Sequence, residues 1–150
     1  MGFITAQATD LLELIFNNTD FENIGDATGL RGSSTAGSFY VALFTADPTA
    51  TGSTSNEADY TGYARVAIAR SGGGFTVSST NVSNTAATTF GECTAGSNTI
   101  THFAFMTAAS GGDMVIRGAL DSSLAVSTSA NQIPEFAIGD LDVDVTTTIS

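Results

Sequence analysis

From Ser38 onward the chain is written in short apolar segments, each soon cut off by glycine, proline, asparagine, aspartate or serine. That punctuation leaves no room for long helices and reads as strands joined by turns. "SFYVALFT" (Ser38–Thr45) is apolar on both faces, as a central strand must be when each of its faces is covered. "YTGYARVAIAR" alternates, with Ala64, Val66 and Ile68 on one side and Tyr63, Arg65 and Ala67 on the other. Short strands are also expected around Phe75–Val77, in "NTAATTF" to Phe90, in "SLAVSTSANQIPEF" and in the closing "GDLDVDVTTTI". "TITHFAFMT" and "DMVIRGAL" flank "AASGG" as an antiparallel hairpin. Abundant Ser and Thr, frequent Gly and only two prolines favour this class over a helical one. About eight short strands with turn signals between them predict a mainly β protein, an antiparallel sandwich or jelly roll.

The exception is the first segment. Ile4, Ala8, Leu11, Leu12 and Ile15 recur at helical spacing, while Thr9, Asp10 and Glu13 fall on other faces. One amphipathic helix is expected from Ile4 to about Phe16, its apolar stripe buried in its own subunit or docked on a neighbour. "DFENIGDATGLRGSSTAG" is a polar, glycine-rich connection, and "ADPTATGSTSNEAD" an exposed loop opened by the Asp47-Pro48 turn. Residues 1–150 are expected to form a single domain, with 1–18 as a helical arm and 38–150 as the sandwich. A chain of this length buries roughly 68–70% of the surface its unfolded form exposes.

Charge narrows the class of partner. Fifteen Asp and Glu face four Arg and no Lys, for a net charge of −11. Such a surface repels nucleic acid and anionic membranes, and no basic stripe overrides the average. The opening "MGFITAQATDLL" lacks the cationic start of a secretory signal, and Gln7, Asp10 and Glu13 interrupt it well short of a membrane span. A soluble protein made in the cytoplasm is expected. Cys93 is the one cysteine, which excludes an intrachain disulfide and a Cys-based zinc site.

His102, the single histidine, is the first candidate for chemistry. In an extended strand it shares a face with Ile100, Ala104 and Met106, with Phe103 and Phe105 opposite. A triad needs a convergent nucleophile and orienting acid, and no G-x-S-x-G elbow is present. His102 is therefore expected to be structural, in the sheet or at an interface. Asp140, Asp142 and Asp144 resemble the start of a calcium loop, but the position that needs glycine holds Val145. Alternation explains the run better, with Leu141, Val143 and Val145 inward and the three carboxylates in solvent. "SGGGF" (Ser71–Phe75) lacks the Lys-Ser/Thr of a phosphate loop and is a turn. The sequons at Asn17 and Asn81 are expected by chance in so Ser/Thr-rich a chain. No acid pair of glycosidase type is nominated, so no catalytic, cofactor-binding or metal-ligating residues and no cofactor are expected.

The motifs "YVALFTADPTATG", "YTGYARVAI", "TITHFAFMTAASGGDMVIRGALDSSLAVS" and "FAIGDLDVDV", with the helix "LLELIF", resemble a family of small tailed-bacteriophage virion proteins. Its members are labelled tail fibre proteins or head-decoration proteins of β-sandwich fold. The resemblance spans nearly the whole chain. It differs at "FMTAAS", where an acidic or aromatic residue is more common, and in the glycine-rich stretch between Asn23 and Gly37. It implies a non-enzymatic structural module present in several copies, with Thr101, His102 and Phe103 in a core strand.

No repeat, heptad or collagen triplet is present to build a long shaft. A compact module therefore points to a capsid decoration or cement protein on the outer surface of the virion. It would bind the major capsid protein or neighbouring virion proteins through the helix and the loops Asp20–Ser38 and Thr45–Asp59. A homo-oligomer, most simply a trimer, is expected. The alternatives are a tail fibre, collar or baseplate adaptor, and a receptor- or glycan-binding module. The last would need an aromatic platform, for which only Tyr40, Tyr60 and Tyr63 accompany the phenylalanines, with no Trp.

Overall fold

The structure is a computed structural model that describes residues 3–22, 24, 25, 29, 30, 32–129 and 133–145. Its elements in chain order are α1 (Thr5–Leu12), continued by a π-helical turn (Glu13–Asn17), then β1 (Ser38–Phe44), β2 (Val66–Ala69) and β3 (Phe75–Ser78). There follow β4 (Asn81–Asn84), β5 (Thr88–Thr89), β6 (Ser97–Met106), β7 (Met114–Ser127), β8 (Glu135–Phe136) and β9 (Asp142–Asp144). The chain is mainly β with antiparallel pairing and one short N-terminal helix, as its turn-punctuated pattern predicts, and its sheets are open. It groups into two compact units: 1–37 with 69–87 and 136–150, and 38–68 with 88–135.

In the second unit a four-stranded sheet runs β2-β1-β6-β7. β1 and β6 pair antiparallel from Tyr40 opposite Met106 to Phe44 opposite His102. Period-two alternation then places Ala42, Phe44, Ala104 and Met106 on one face, where Tyr40 and Met114 pack on them. Val41, Leu43, Phe103 and Phe105 take the other face and are also buried. Both faces of β1 are thus covered, which is why its sequence is continuously apolar rather than alternating. Each fully buried Phe contributes about 1.5–3 kcal/mol by leaving water.

The β6–β7 hairpin forms where the sequence places it, closed by the Thr107 N–H donating to the Asp113 carbonyl at 2.9 Å. β7 is longer than expected. "SLAVS" belongs to the same strand as "MVIRGAL", because the chain returns to its partner after a bulge: Ile100 faces Leu124, but His102 faces Ala119. The polar Asp121-Ser122-Ser123 in the bulge looks like a turn when only composition is read. β5 and β8 pair as a two-stranded ribbon, with the Phe90 N–H on the Pro134 carbonyl at 2.9 Å.

In the first unit α1 and its π turn lie on β3 and β4 of the sheet β3-β4-β9. Ala8, Leu12 and Phe16 are buried, one per turn, and Phe16 meets Phe75 edge-to-face with ring centroids 4.9 Å apart. The stripe is therefore covered within the chain itself. Ile4 departs from the expected stripe: its backbone is extended as the N-cap and its side chain is 70% exposed.

The last carbonyls of the π turn find their donors outside the helix. Arg70 Nε donates to the Ile15 carbonyl at 2.6 Å, Nη2 to Leu14 at 2.9 Å and Nη1 to Ala36 at 3.0 Å. A guanidinium at a helix C-terminus satisfies orphan carbonyls and favours the dipole at once. Asn18 then turns the chain with φ 58°, and its side chain closes the following loop through the Ser33 backbone on both sides.

Candidate interaction surface

In the second unit, one end of the sheet is built from the loop after β1 and the turn of the β6–β7 hairpin. The loop 45–58 doubles back along the end of β1, with the Thr45 N–H on the Asn56 carbonyl (2.9 Å) and the Ala58 N–H on that of Leu43 (2.8 Å). Asn98 on β6 fixes its far end by accepting from the Asp59 and Tyr60 N–H groups at 3.0 Å.

A side-chain bracket joins this loop to the hairpin turn. Arg65 grips Glu57 with both prongs, Nε to Oε1 and Nη2 to Oε2, each at 2.7 Å. Its remaining Nη1 donates to the carbonyls of Ala108 (2.8 Å) and Gly111 (2.7 Å). Tyr63 donates its hydroxyl to Glu57 Oε1 at 2.9 Å while accepting the Leu43 N–H at 3.1 Å. The Arg65 side chain is 4% exposed and that of Glu57 18%. The hydrogen bond and charge of Glu57 hold the guanidinium above its ordinary range against the opposing effect of burial.

The alternating pattern puts Tyr63 and Arg65 on one side of a longer strand; β2 starts only at Val66, and both side chains reach Glu57 from the chain before it. The signal that locates them is scarcity. In a chain with four cations and fifteen acids, an arginine retained beside aromatics is there to satisfy something buried.

Burial raises the Tyr63 hydroxyl far above its ordinary range, outweighing the Leu43 N–H that favours the phenolate, and Glu57 adds to the rise. Burial also raises Tyr60, with Cys93 adding to it. In the unfolded chain a tyrosine ionises near pH ~10. Above that pH the folded state holds more protons than the unfolded one, so this stability is intact below about pH 10 and is lost as the pH rises. Tyr63→Phe is expected to flatten the alkaline limb of a stability-versus-pH curve measured by urea denaturation; an unchanged limb would show that Tyr63 does not set it.

The three tyrosines do not form the exposed aromatic platform that a glycan-binding module would need. Tyr60 is 3% exposed and donates to the Gly91 carbonyl at 3.0 Å, Tyr63 stacks on Phe90, and Tyr40 packs on the sheet core. Gly62 and Gly91 allow this packing: a Cβ on Gly91 would lie 2.0 Å from the Gly62 carbonyl oxygen, and Gly62 itself adopts φ 104°.

On the outside of the same end, the turn Thr49–Gly52 faces Gly112–Arg117 across a cleft of about 280 Å³. Arg117 Nη1 reaches Asp47 Oδ1 at 2.5 Å, with side chains 37% and 48% exposed. Thr49 holds φ 61°, costly for a β-branched residue, and its N–H is taken by Asp47 Oδ1 at 2.8 Å.

His102 is half-buried on β6 opposite Phe44 and Ala119, and its Nδ1 lies 2.9 Å from Thr101 Oγ1. The three aspartates do not converge on one point. Asp140 accepts the Ala137 N–H in a turn, while Asp142 and Asp144 stand exposed on β9, bridged by the Asn81 amide. Leu141 is buried and Val143 half-buried, as the alternation predicts. Among the described residues no group of three or more His, Cys, Asp or Glu is placed to hold a metal ion. Ser71–Phe75 is a turn into β3, with the Gly74 and Phe75 N–H groups both on the Ser71 carbonyl. Cys93 is buried beside the Ala95 and Gly96 carbonyls.

In the first unit, Phe3, Ile4, Ile24, Leu30 and Ile138 are exposed large apolar side chains. The loop Asp20–Ser38, expected to make contacts, lies partly outside the described residues; its described part includes a Phe21–Leu30 bridge. No helix among the described residues is long and apolar enough to cross a membrane.

A family model described as "Podophage GP4 fiber I protein gp80" matches residues 2–144. No curated protein matches the sequence.

Proposed function

We propose, from the premise that this chain belongs to the podophage GP4 fiber I protein gp80 family, that it is a non-catalytic module of the fibre apparatus of a tailed-phage virion. The carrying observation is the family match over 2–144, since a family of phage fibre proteins makes the chain a virion structural component. The fold supports an attachment role. Its loops stand on a rigid sheet, and the bracket of Arg65, Glu57 and Tyr63 pre-orders the 45–58 loop and the hairpin turn, which lowers the entropy lost on docking.

Charge supports a basic partner surface. Arg65 and Arg70 donate to internal acceptors and Arg117 pairs with Asp47, so the described surface presents mainly carboxylates. The capsid-cement arrangement shares this chemistry and differs in copy number. Quantitative mass spectrometry of purified particles is expected to find a handful to a few dozen copies per virion; hundreds, in proportion to the major capsid protein, would replace the fibre reading with cement.

The N-terminal tip is one expected contact. Because Leu12 and Phe16 are core residues, deleting the helix would damage the fold, whereas Phe3 and Ile4 are exposed and replaceable. The pair Phe3→Ser and Ile4→Ser is expected to leave thermal unfolding unchanged and to lower occupancy in particles severalfold. Full occupancy would remove the tip from the interface.

A further inference from the structure

We infer that Met114 is an oxidation site: hydrogen peroxide converts it to the sulfoxide, which loosens the end of the β6–β7 hairpin and opens Met106 to the same reaction. The sequence holds three methionines, of which Met1 lies outside the described residues. Met106 and Met114 face each other across the β6–β7 ladder but differ in access. Met106 is fully buried, in the cluster it forms with Ala42, Phe44 and Ala104. Met114 packs on that cluster with Tyr40, is only half-buried, and lines the cleft of about 280 Å³ beside the turn Thr49–Gly52. A cleft of that size holds water, and hydrogen peroxide is little larger.

The place of Met114 in the ladder makes its modification consequential. Phe105 faces Ile116 but Met106 faces Met114, so a register shift falls between the two pairs and the ladder is interrupted at its end. The turn Thr49–Gly52 closes on the same side chain: a Cβ on Gly52 would lie 3.3 Å from the Met114 Cβ. A thioether suits this apolar cluster, whereas a sulfoxide is polar and brings an acceptor oxygen with it. That oxygen either stays in the cluster without a donor, which is costly, or carries the side chain out toward the cleft. Either response loosens the hairpin end, and the second removes part of the cover over Met106.

The step needs peroxide alone. The Met114 sulfur attacks one peroxide oxygen; the S–O bond forms as the O–O bond breaks, and the departing hydroxide takes up the remaining proton as water. Sulfur is oxidised by two electrons and the peroxide is reduced by two. Cys93, the one other sulfur among the described residues, is buried beside the Ala95 and Gly96 carbonyls.

The test treats the full chain with dilute hydrogen peroxide, localises oxidation by peptide mass spectrometry and follows thermal unfolding alongside. Met114 is expected to oxidise at least about tenfold faster than Met106, since a buried site reacts only through local opening. The unfolding temperature is expected to fall by several degrees as the Met114 sulfoxide accumulates, and to recover on treatment with methionine sulfoxide reductase. Met114→Leu conserves volume and removes the sulfur. It is expected to keep Met106 reduced over the same period and to unfold at one temperature with or without peroxide.

Met106 oxidised as fast as Met114, or a Met114 sulfoxide that leaves unfolding unchanged, would overturn the inference. Oxidation of Met106 in Met114→Leu at the wild-type rate would overturn it too, because Met114 would then not gate its neighbour. If Met114→Leu fails to fold by circular dichroism, the order of oxidation and the recovery in wild type decide the question. The inference rests on the packing of the hairpin and not on the fibre reading, so its failure leaves virion membership standing.

Discussion

Arg65→Ala is expected to destabilise the second unit by about 3–5 kcal/mol, the cost of leaving one partner of a buried ion pair uncompensated. The loss goes beyond one contact. Glu57 keeps its carboxylate in a largely enclosed site with only the Tyr63 hydroxyl, and the carbonyls of Ala108 and Gly111 lose their donor. Arg117→Ala supplies the internal comparison. Its pair with Asp47 is exposed and single-pronged, so its removal is expected to cost no more than about 1 kcal/mol. Urea denaturation of both variants checks the contrast; equal losses would mean that the bracket is no stronger than a surface pair. Arg65→Lys keeps the charge but not the fork, and is expected to recover only part of the loss.

Arg70→Met is expected to cost about 2–4 kcal/mol, because each buried carbonyl stripped of its donor costs about 1–3 kcal/mol and methionine retains the aliphatic packing of the stem. The loss should appear first where the guanidinium acts, at the Leu14 and Ile15 carbonyls that end the helix. Amide hydrogen exchange of Thr5–Asn17 is expected to accelerate while β6 and the start of β7 stay protected. Uniform acceleration, or none in the helix, would show that Arg70 does not hold the helix end.

Local pattern carried the parts of this fold that depend on neighbours in sequence. The hairpin of β6 and β7, the two-sided burial of β1 and the outward aspartates of β9 follow from period-two alternation and turn chemistry, which short windows display. The helix was legible from its stripe, but not the group that satisfies its last carbonyls, since Arg70 lies fifty-five residues from Ile15 along the chain. The length of β7 was hidden by a bulge whose polar residues imitate a turn.

The bracket was illegible for the same reason. Glu57 sits in a loop whose composition reads as solvent-facing, and only the tertiary fold brings Arg65, Tyr63 and the hairpin carbonyls to it. His102 drew attention by being unique, yet what surrounds it is sheet, with Phe44 and Ala119 across the ladder. Membership of a virion-protein family was legible only through shared motifs, since a fold by itself does not name a function.

Antibody labelling of purified particles, imaged by electron microscopy, tests the central claim most directly. Label is expected on the particle, gathered at the tail or its fibres. Particles carrying no label, with the protein left in the soluble fraction of the lysate, would contradict a structural role in the virion.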